Sequence, residues 1–287
     1  MCARDGRLGW HRRRLSDEVG AVSGIRTLNQ GSRSRGMKIL VTFAIGSEFA
    51  AWRRQHDFRQ VAHDPYPVYV AEIEGSTVRV VLTGVGNEAA EAAVRWALSA
   101  PVDVCITSGF AGALNPEYVV GNVLSARVVL WAERELAVAS DRELLSVARD
   151  AGARQADHFL TAAVMFDTPQ QKMAYASEAD AVDMESFVIL AEAARHGVRA
   201  VALRAVSDAA DSGLPYDFGR VLDARGQVRV GRLLLELARR PQRIPALLRL
   251  AHDCRSAASE LADFLDAYVK LLHVRFDLSH SEMIAAT

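Results

Sequence analysis

The chain has 287 residues, half of them hydrophobic and 24% charged, with a formal net charge of −1. That length suffices to bury the core of one large α/β domain or two small ones, and the balanced charge argues against the strongly basic footprint of a nucleic-acid-binding domain. The three cysteines (Cys2, Cys105 and Cys254) are scattered without Cys-x-x-Cys spacing, and no uncharged apolar run approaches about 18 residues, so the reading is a cytoplasmic protein with no structural metal site and no membrane span.

Residues 1–36 hold a crowd of arginines, from Arg4 to Arg35, few large apolar residues and a loose GSRSRG end, and are expected to be a disordered basic extension. Met37 to Phe43 (MKILVTF) reads as a short buried strand. Ala44 to Glu48 leads from it into a helix near Phe49–His56, with Phe49 and Trp52 facing inward. Val68–Ile73 and Thr77–Thr83 read as a hairpin turning at Glu74-Gly75-Ser76. The second strand ends in Gly84-Val85-Gly86 before an alanine-rich helix over Glu88–Ala97, a junction where backbone N–H groups can approach an anion. It lacks the third glycine of a dinucleotide fingerprint.

Val102–Thr107 is the next predicted strand, followed by the small-residue stretch Ser108–Leu114, where backbone can approach a ligand or elements can pack closely. Asn122–Leu130 is a strand, Asp141–Ala151 an amphipathic helix, and Phe159–Phe166 a strand ending at Met165-Phe166. Gln170–Ser177 is a further helix. Ala181 to Asp211 then divides into three pieces. A short apolar lead-in reaches Asp183-Met184-Glu185; a helix follows over Ser186–His196, with Gly197 at the left-handed C-cap position; a nearly continuous apolar strand then spans Val198–Val206 and stops at Ser207-Asp208. In open α/β sheets ligands sit beyond the carboxyl ends of strands, so Glu185 and Asp208 are both delivered to places where a ligand can be met. Each also has a purely local reading, Asp208 as a turn cap and Glu48 or Glu185 as an acid favoured in a first helical turn.

After Asp211 comes a loop-rich stretch to Gly226, a helix over Val228–Leu237, a break at Arg239-Arg240-Pro241, and helices over Ile244–Asp253 and Ser256–Leu272. Residues 273–287 read as a tail, and residues 37–272 as one domain. Arginines from Arg232 to Arg255 beside Leu and Ile suit either the surface of packed helices or peripheral contact with an anionic membrane.

The Val-Asp-Met-Glu–helix–strand–Ser-Asp unit at 182–208 resembles the nucleoside phosphorylase/nucleosidase superfamily, most closely its 5′-methylthioadenosine/S-adenosylhomocysteine nucleosidase branch. The resemblance runs from Met37 to about Asp211. The segment after it, with Arg239-Arg240-Pro241 and Pro245-Ala246-Leu247-Leu248-Arg249-Leu250, resembles the hopanoid-associated phosphorylases of the same superfamily. The resemblance implies a three-layer α/β/α sandwich around a mixed, partly closed sheet. It implies that Asp208 protonates the purine, Glu48 activates the attacking water, and Glu185 binds the ribose with Met184 on the sugar face and Ser207 beside the aspartate. Met165 and Phe166 stand where the family stacks its purine, and Gly109 and Phe110 where it holds water or phosphate. Phe110 replaces a serine there, Ala113 a glycine and Asn122 an aspartate, which leaves the nucleophile's binding mode open.

No cofactor is implied. The expected partners are a small nucleoside and a second copy of the chain, as a homodimer or larger homo-oligomer. Three activities fit: hydrolysis of 5′-modified adenosines such as methylthioadenosine, phosphorylase-type cleavage of a lipid-linked adenosine, and nucleoside binding without turnover. Glu48 would repel phosphate, which favours hydrolysis, and three acids together exceed what binding requires.

Overall fold

The structure, a computed structural model, describes residues 36–214 and 241–285. The expected basic extension up to Arg35 and the expected helix at Val228–Leu237 lie outside the described residues. Ten strands make one mixed sheet: β1 (Lys38–Phe43), β2 (Arg59–Ala62), β3 (Val68–Ile73), β4 (Ser76–Leu82), β5 (Val104–Ala113), β6 (Val123–Trp131), β7 (Leu136–Ala139), β8 (Arg154–Thr161), β9 (Ala181–Asp183) and β10 (Arg199–Asp208). The helices are α1 (Gly46–Gln55), α2 (Asn87–Ala97), α3 (Arg142–Asp150), α4 (Pro169–Tyr175), α5 (Ser186–Arg195) and α6 (Ile244–Ala285).

The sheet is open on one side and closed on the other. Strands β2, β3, β4, β1 and β5 follow one another across the open part, while β5, β10, β6, β8 and β9 form a ring because β10 pairs with both β5 and β6. β1 is parallel to β4 and β5, β10 is parallel to β5, and β6 is antiparallel to β10. The three-residue β9 completes the ring by pairing antiparallel with β5 and parallel with β8. Alternation along β1 divides the core. Ile39, Val41 and Phe43 pack with Phe49 and Trp52 of α1 and Leu261 and Leu265 of α6, whereas Leu40 packs with Ala90 and Val94 of α2 and Ile189 of α5. The result is the expected three-layer α/β/α sandwich with a mixed, partly closed sheet.

Several boundaries differ from the sequence reading, each for a tertiary reason. β5 runs on to Ala113 through residues expected to be a loop, because Ser108 to Gly112 continue the ladder with β10. β8 stops at Thr161, opposite Trp131 at the end of β6, so Met165 and Phe166 stand in the following loop rather than on a strand. α1 begins at Gly46, which places Glu48 inside its first turn. The two expected C-terminal helices are one, α6, which continues to Ala285; no Gly or Pro interrupts the chain after Pro245. Its buried face carries Leu261, Leu265, Tyr268, Val269 and Leu272, and the Tyr268 hydroxyl donates to the Leu144 carbonyl at 3.1 Å. Among the described residues no helix is long and apolar enough to cross a membrane.

Asp141 fixes the junction between α3 and the sheet. Its carboxylate accepts from the amides of Glu143 and Leu144, both at 3.0 Å, and pairs with Arg199 of β10 at 2.6 Å. These bonds to the charged form, those from Arg199 first, hold its pKa below the ordinary value. Asp141→Ala is expected to cost about 1 kcal/mol at neutral pH. The deficit should shrink as pH falls through the depressed pKa of Asp141, where the wild type loses the same interaction. Chemical denaturation at pH 7 and pH 3 measures both.

Candidate active site

The loops that follow β1, β4, β8 and β9, together with the end of β10, open onto one cavity of about 1470 Å³. Glu48, Phe110, Met165, Phe166, Met184, Glu185, Ser207 and Asp208 all line it, so residues up to 160 positions apart in sequence share one hollow. Of the residues singled out in the sequence, Gly109 alone is behind the wall instead of on it. It is buried, and a Cβ built there would lie 2.5 Å from Arg204 Nη1 and 2.6 Å from Glu48 Oε1. Gly112 has a similar position against Asp208, whose Oδ2 would be 3.0 Å from such a Cβ. The small residues of β5 thus make room for the chain's own charged side chains.

Glu48 is held by backbone. Its Oε2 accepts from the amides of Ala44 (2.9 Å) and Ile45 (3.1 Å), and its Oε1 from that of Phe110 (2.9 Å). Burial raises its pKa in spite of these bonds and of the nearby Arg204. Glu185 accepts from the amide of Gly86 at 2.8 Å. The Gly84-Val85-Gly86 turn therefore spends this donor on the chain's own carboxylate rather than on an external anion. Burial first, and then the neighbouring acids Asp183 and Glu48, push Glu185 up to about 7.

Beneath both lies Arg204, 1% exposed. Its guanidinium pairs with Asp183 at 2.9 Å and Glu185 at 3.5 Å. It also donates to Ser186 Oγ, to the Ser108 carbonyl at 3.1 Å and to Thr107 Oγ1 at 3.3 Å. Asp183 accepts in turn from Thr161 Oγ1 at 2.7 Å. Arg204 belongs to the predicted strand but is not on the cavity wall; its side chain sits under the site and braces its acids.

Asp208 is set differently. Its Oδ1 accepts from Ser207 Oγ at 2.7 Å, and its Oδ2 from Nζ of Lys172 on α4, which also donates to the Ala209 carbonyl at 2.7 Å. The sequence reading named no partner for Asp208; the fold supplies an ion pair, because α4 packs Lys172 behind β10. Met165 is 37% exposed on the cavity rim, whereas Phe166 is buried and stacks on Tyr175 at 5.2 Å. Sequence reasoning missed the wall formed by His63 to Pro67 before β3 and by Leu250 and Cys254 of α6. No local pattern marks these residues, which reach the cavity only through packing. Among the described residues no group of three or more His, Cys, Asp or Glu side chains is arranged to hold a metal ion.

Gly109 has a φ of +139° and no room for a methyl group. Gly109→Ala is expected to lower stability by roughly 1–3 kcal/mol through backbone strain alone, with displacement of Glu48 or Arg204 adding to it; urea unfolding measures the loss. A second expectation follows from Glu185. Its carboxyl binds a proton more tightly folded than unfolded, so its stabilising contribution is fully present below its ordinary pKa of 4.5 and is lost as pH rises through about 7. Glu185→Gln should therefore gain in Tm relative to the wild type between pH 5 and pH 8, as thermal unfolding without ligand would show.

The family model described as "Phosphorylase superfamily" matches residues 38–134. No curated protein matches the chain. Among solved structures, a 5′-methylthioadenosine/S-adenosylhomocysteine nucleosidase from Neisseria meningitidis in complex with methylthio-immucillin-A is similar at 20% identity and a TM-score of 0.64, covering 81% of this chain and 98% of that one. The corresponding nucleosidase from Campylobacter jejuni is 17% identical with a TM-score of 0.64, over 82% and 99% of the two chains. A futalosine hydrolase mutant of Helicobacter pylori is 16% identical with a TM-score of 0.63, over 81% and 98%. The described fold is that of the nucleoside phosphorylases and nucleosidases, and the phosphorylase-superfamily sequence signature lies in residues 38–134.

Proposed function

We propose that the protein hydrolyses the N-glycosidic bond of purine nucleosides modified at the 5′ position, such as methylthioadenosine or S-adenosylhomocysteine, and releases adenine. One observation carries the choice of water over phosphate. The described cavity wall bears five carboxylates, those of Glu48, Asp64, Asp183, Glu185 and Asp208, and no lysine or arginine. A phosphate dianion brought among them would meet repulsion that no lysine or arginine among the described residues of the wall offsets, whereas neutral water would not. The backbone amides of Phe110 and Gly86, which could have received an anion, already serve Glu48 and Glu185.

Placement around the cavity supports the roles assigned here. Glycosidic cleavage puts positive charge on the ribose and negative charge on the departing base. Glu48, with a pKa raised by burial, orients water and takes its proton. Glu185 accepts hydrogen bonds from the ribose hydroxyls and stabilises the cationic sugar, with Met184 against the ring. Asp208 passes a proton to the purine, and Ser207 fixes its carboxylate. Met165 on the rim and Phe166 below it bound the base side. The cavity exceeds the roughly 300–1,000 Å³ typical of small-molecule sites, and its wall includes the apolar Leu82, Val164 and Leu250, which suits a nucleoside carrying an apolar 5′ substituent.

Incubation with methylthioadenosine should yield adenine and free methylthioribose at a rate indifferent to added phosphate. Sugar 1-phosphate as product would make the protein a phosphorylase, and absence of adenine would leave a binding protein. Asp208→Asn should release adenine about 10²–10⁴-fold more slowly while still binding nucleoside by calorimetry; turnover at the wild-type rate would remove Asp208 from its role.

A further inference from the structure

The seven-residue helix α4 has an inverted surface. Its apolar Met173 is 74% exposed, while the adjacent Lys172 is 1% exposed. A buried lysine needs compensation, and the only carboxylate paired with this one among the described residues is that of Asp208. The arrangement is directional. Asp208 faces the cavity, whereas Lys172 does not line it and contacts Asp208 from behind. Ser207 Oγ occupies the other carboxylate oxygen, and the Ala209 carbonyl holds the ammonium in place.

We propose that Lys172 is a positioning residue whose ammonium supplies, through Asp208, the proton that the departing base requires. The inference rests on the nucleosidase reading above. A carboxylate bonded to an ammonium has no proton of its own to give, so a donor behind it is needed. In the step proposed, the bond between the sugar's anomeric carbon and the base nitrogen breaks and its electron pair goes to the base. Lys172 Nζ gives a proton to the Asp208 carboxylate and becomes a neutral amine, and Asp208 passes that proton to the base. Water bonds to the anomeric carbon and its proton goes to Glu48. Loss of that proton from Glu48 to solvent and uptake of one by Lys172 restore the resting state. Lysine suits this role because its ammonium can release a proton, whereas a guanidinium stays charged.

The test compares two leaving groups in the full-length protein: methylthioadenosine, whose base leaves with a proton, and 4-nitrophenyl riboside, whose nitrophenolate needs none. Lys172→Arg keeps the charge beside Asp208 but not the transferable proton, and Lys172→Met removes both. Lys172→Arg should lose about 10²-fold or more in kcat on methylthioadenosine, with a loss on the nitrophenyl substrate at least tenfold smaller and little change in KM; Lys172→Met, which frees Asp208 to hold a proton of its own, should lose less. Equal losses on the two substrates, or wild-type kcat for Lys172→Arg, would overturn the proposal. The wild type provides a measurement that needs no variant to fold. Its kcat on methylthioadenosine should show an alkaline limb that the nitrophenyl substrate lacks, and identical pH profiles would also overturn the proposal. If the wild type releases no base from any nucleoside, the nucleosidase reading itself fails; wild-type release with unaltered Lys172 variants sinks only the lysine.

Discussion

Burying Glu48, Asp183 and Glu185 around one cavity would be prohibitive without a compensating charge, and Arg204 is that charge. Its guanidinium lies under all three acids and pairs directly with Asp183 and Glu185. Serine, threonine and a backbone carbonyl use its remaining donors, so neither its charge nor its hydrogen-bonding capacity is stranded. One cation against three carboxylates is incomplete compensation. Burial therefore still raises Glu48 and Glu185, and Glu185 reaches about 7. The site stores unfavourable electrostatics that a positive charge arriving in the cavity would relieve.

The sheet provides the geometry for this. β10 carries Arg204 into the middle of the molecule and ends at Asp208 on the cavity wall. β5 runs parallel beside it, with glycine at the two places where a side chain would strike Glu48 and Arg204 or Asp208. The short β9 brings Asp183 to the same floor and starts the turn that presents Met184 and Glu185. Ring closure through β9 and β10 lets residues far apart in the sequence face one another. Each acid also has its own supports: three backbone amides for Glu48, a glycine-turn amide for Glu185, and a serine and a lysine for Asp208. The same kind of side chain is thereby placed in three different electrical environments, the condition for dividing acid, base and binding work among carboxylates.

Much of this is legible before folding is considered. β1, the β3–β4 hairpin, α2, α3, α5 and most of β10 follow from periodicity and from punctuation such as Gly197, which takes the positive φ expected of a C-cap residue. Glu185 and Asp208 stand out because each occurs where an element begins or ends, and Glu48 through the family resemblance. Gly109 stands out through that resemblance too, but sequence cannot say whether a glycine admits a ligand or a neighbouring side chain. Lys172, flanked by glutamine and methionine on a short helix, carries no such mark; its partner is Asp208 at the end of β10, 36 residues later in the chain.

The sequence by itself therefore determined the alternation of elements, the apolar faces that make three layers, and the acids delivered to strand ends, since these depend on residue order and local sterics. Only the tertiary structure decided where strands stop, which charges neighbour one another, and what each acid experiences. β5 outlasts its apolar run because β10 offers it a ladder, β8 ends because β6 does, and Asp208 meets an ammonium because α4 packs behind it. Coulombic coupling and desolvation depend on distance through space, and that distance exists only once the ring of strands has closed.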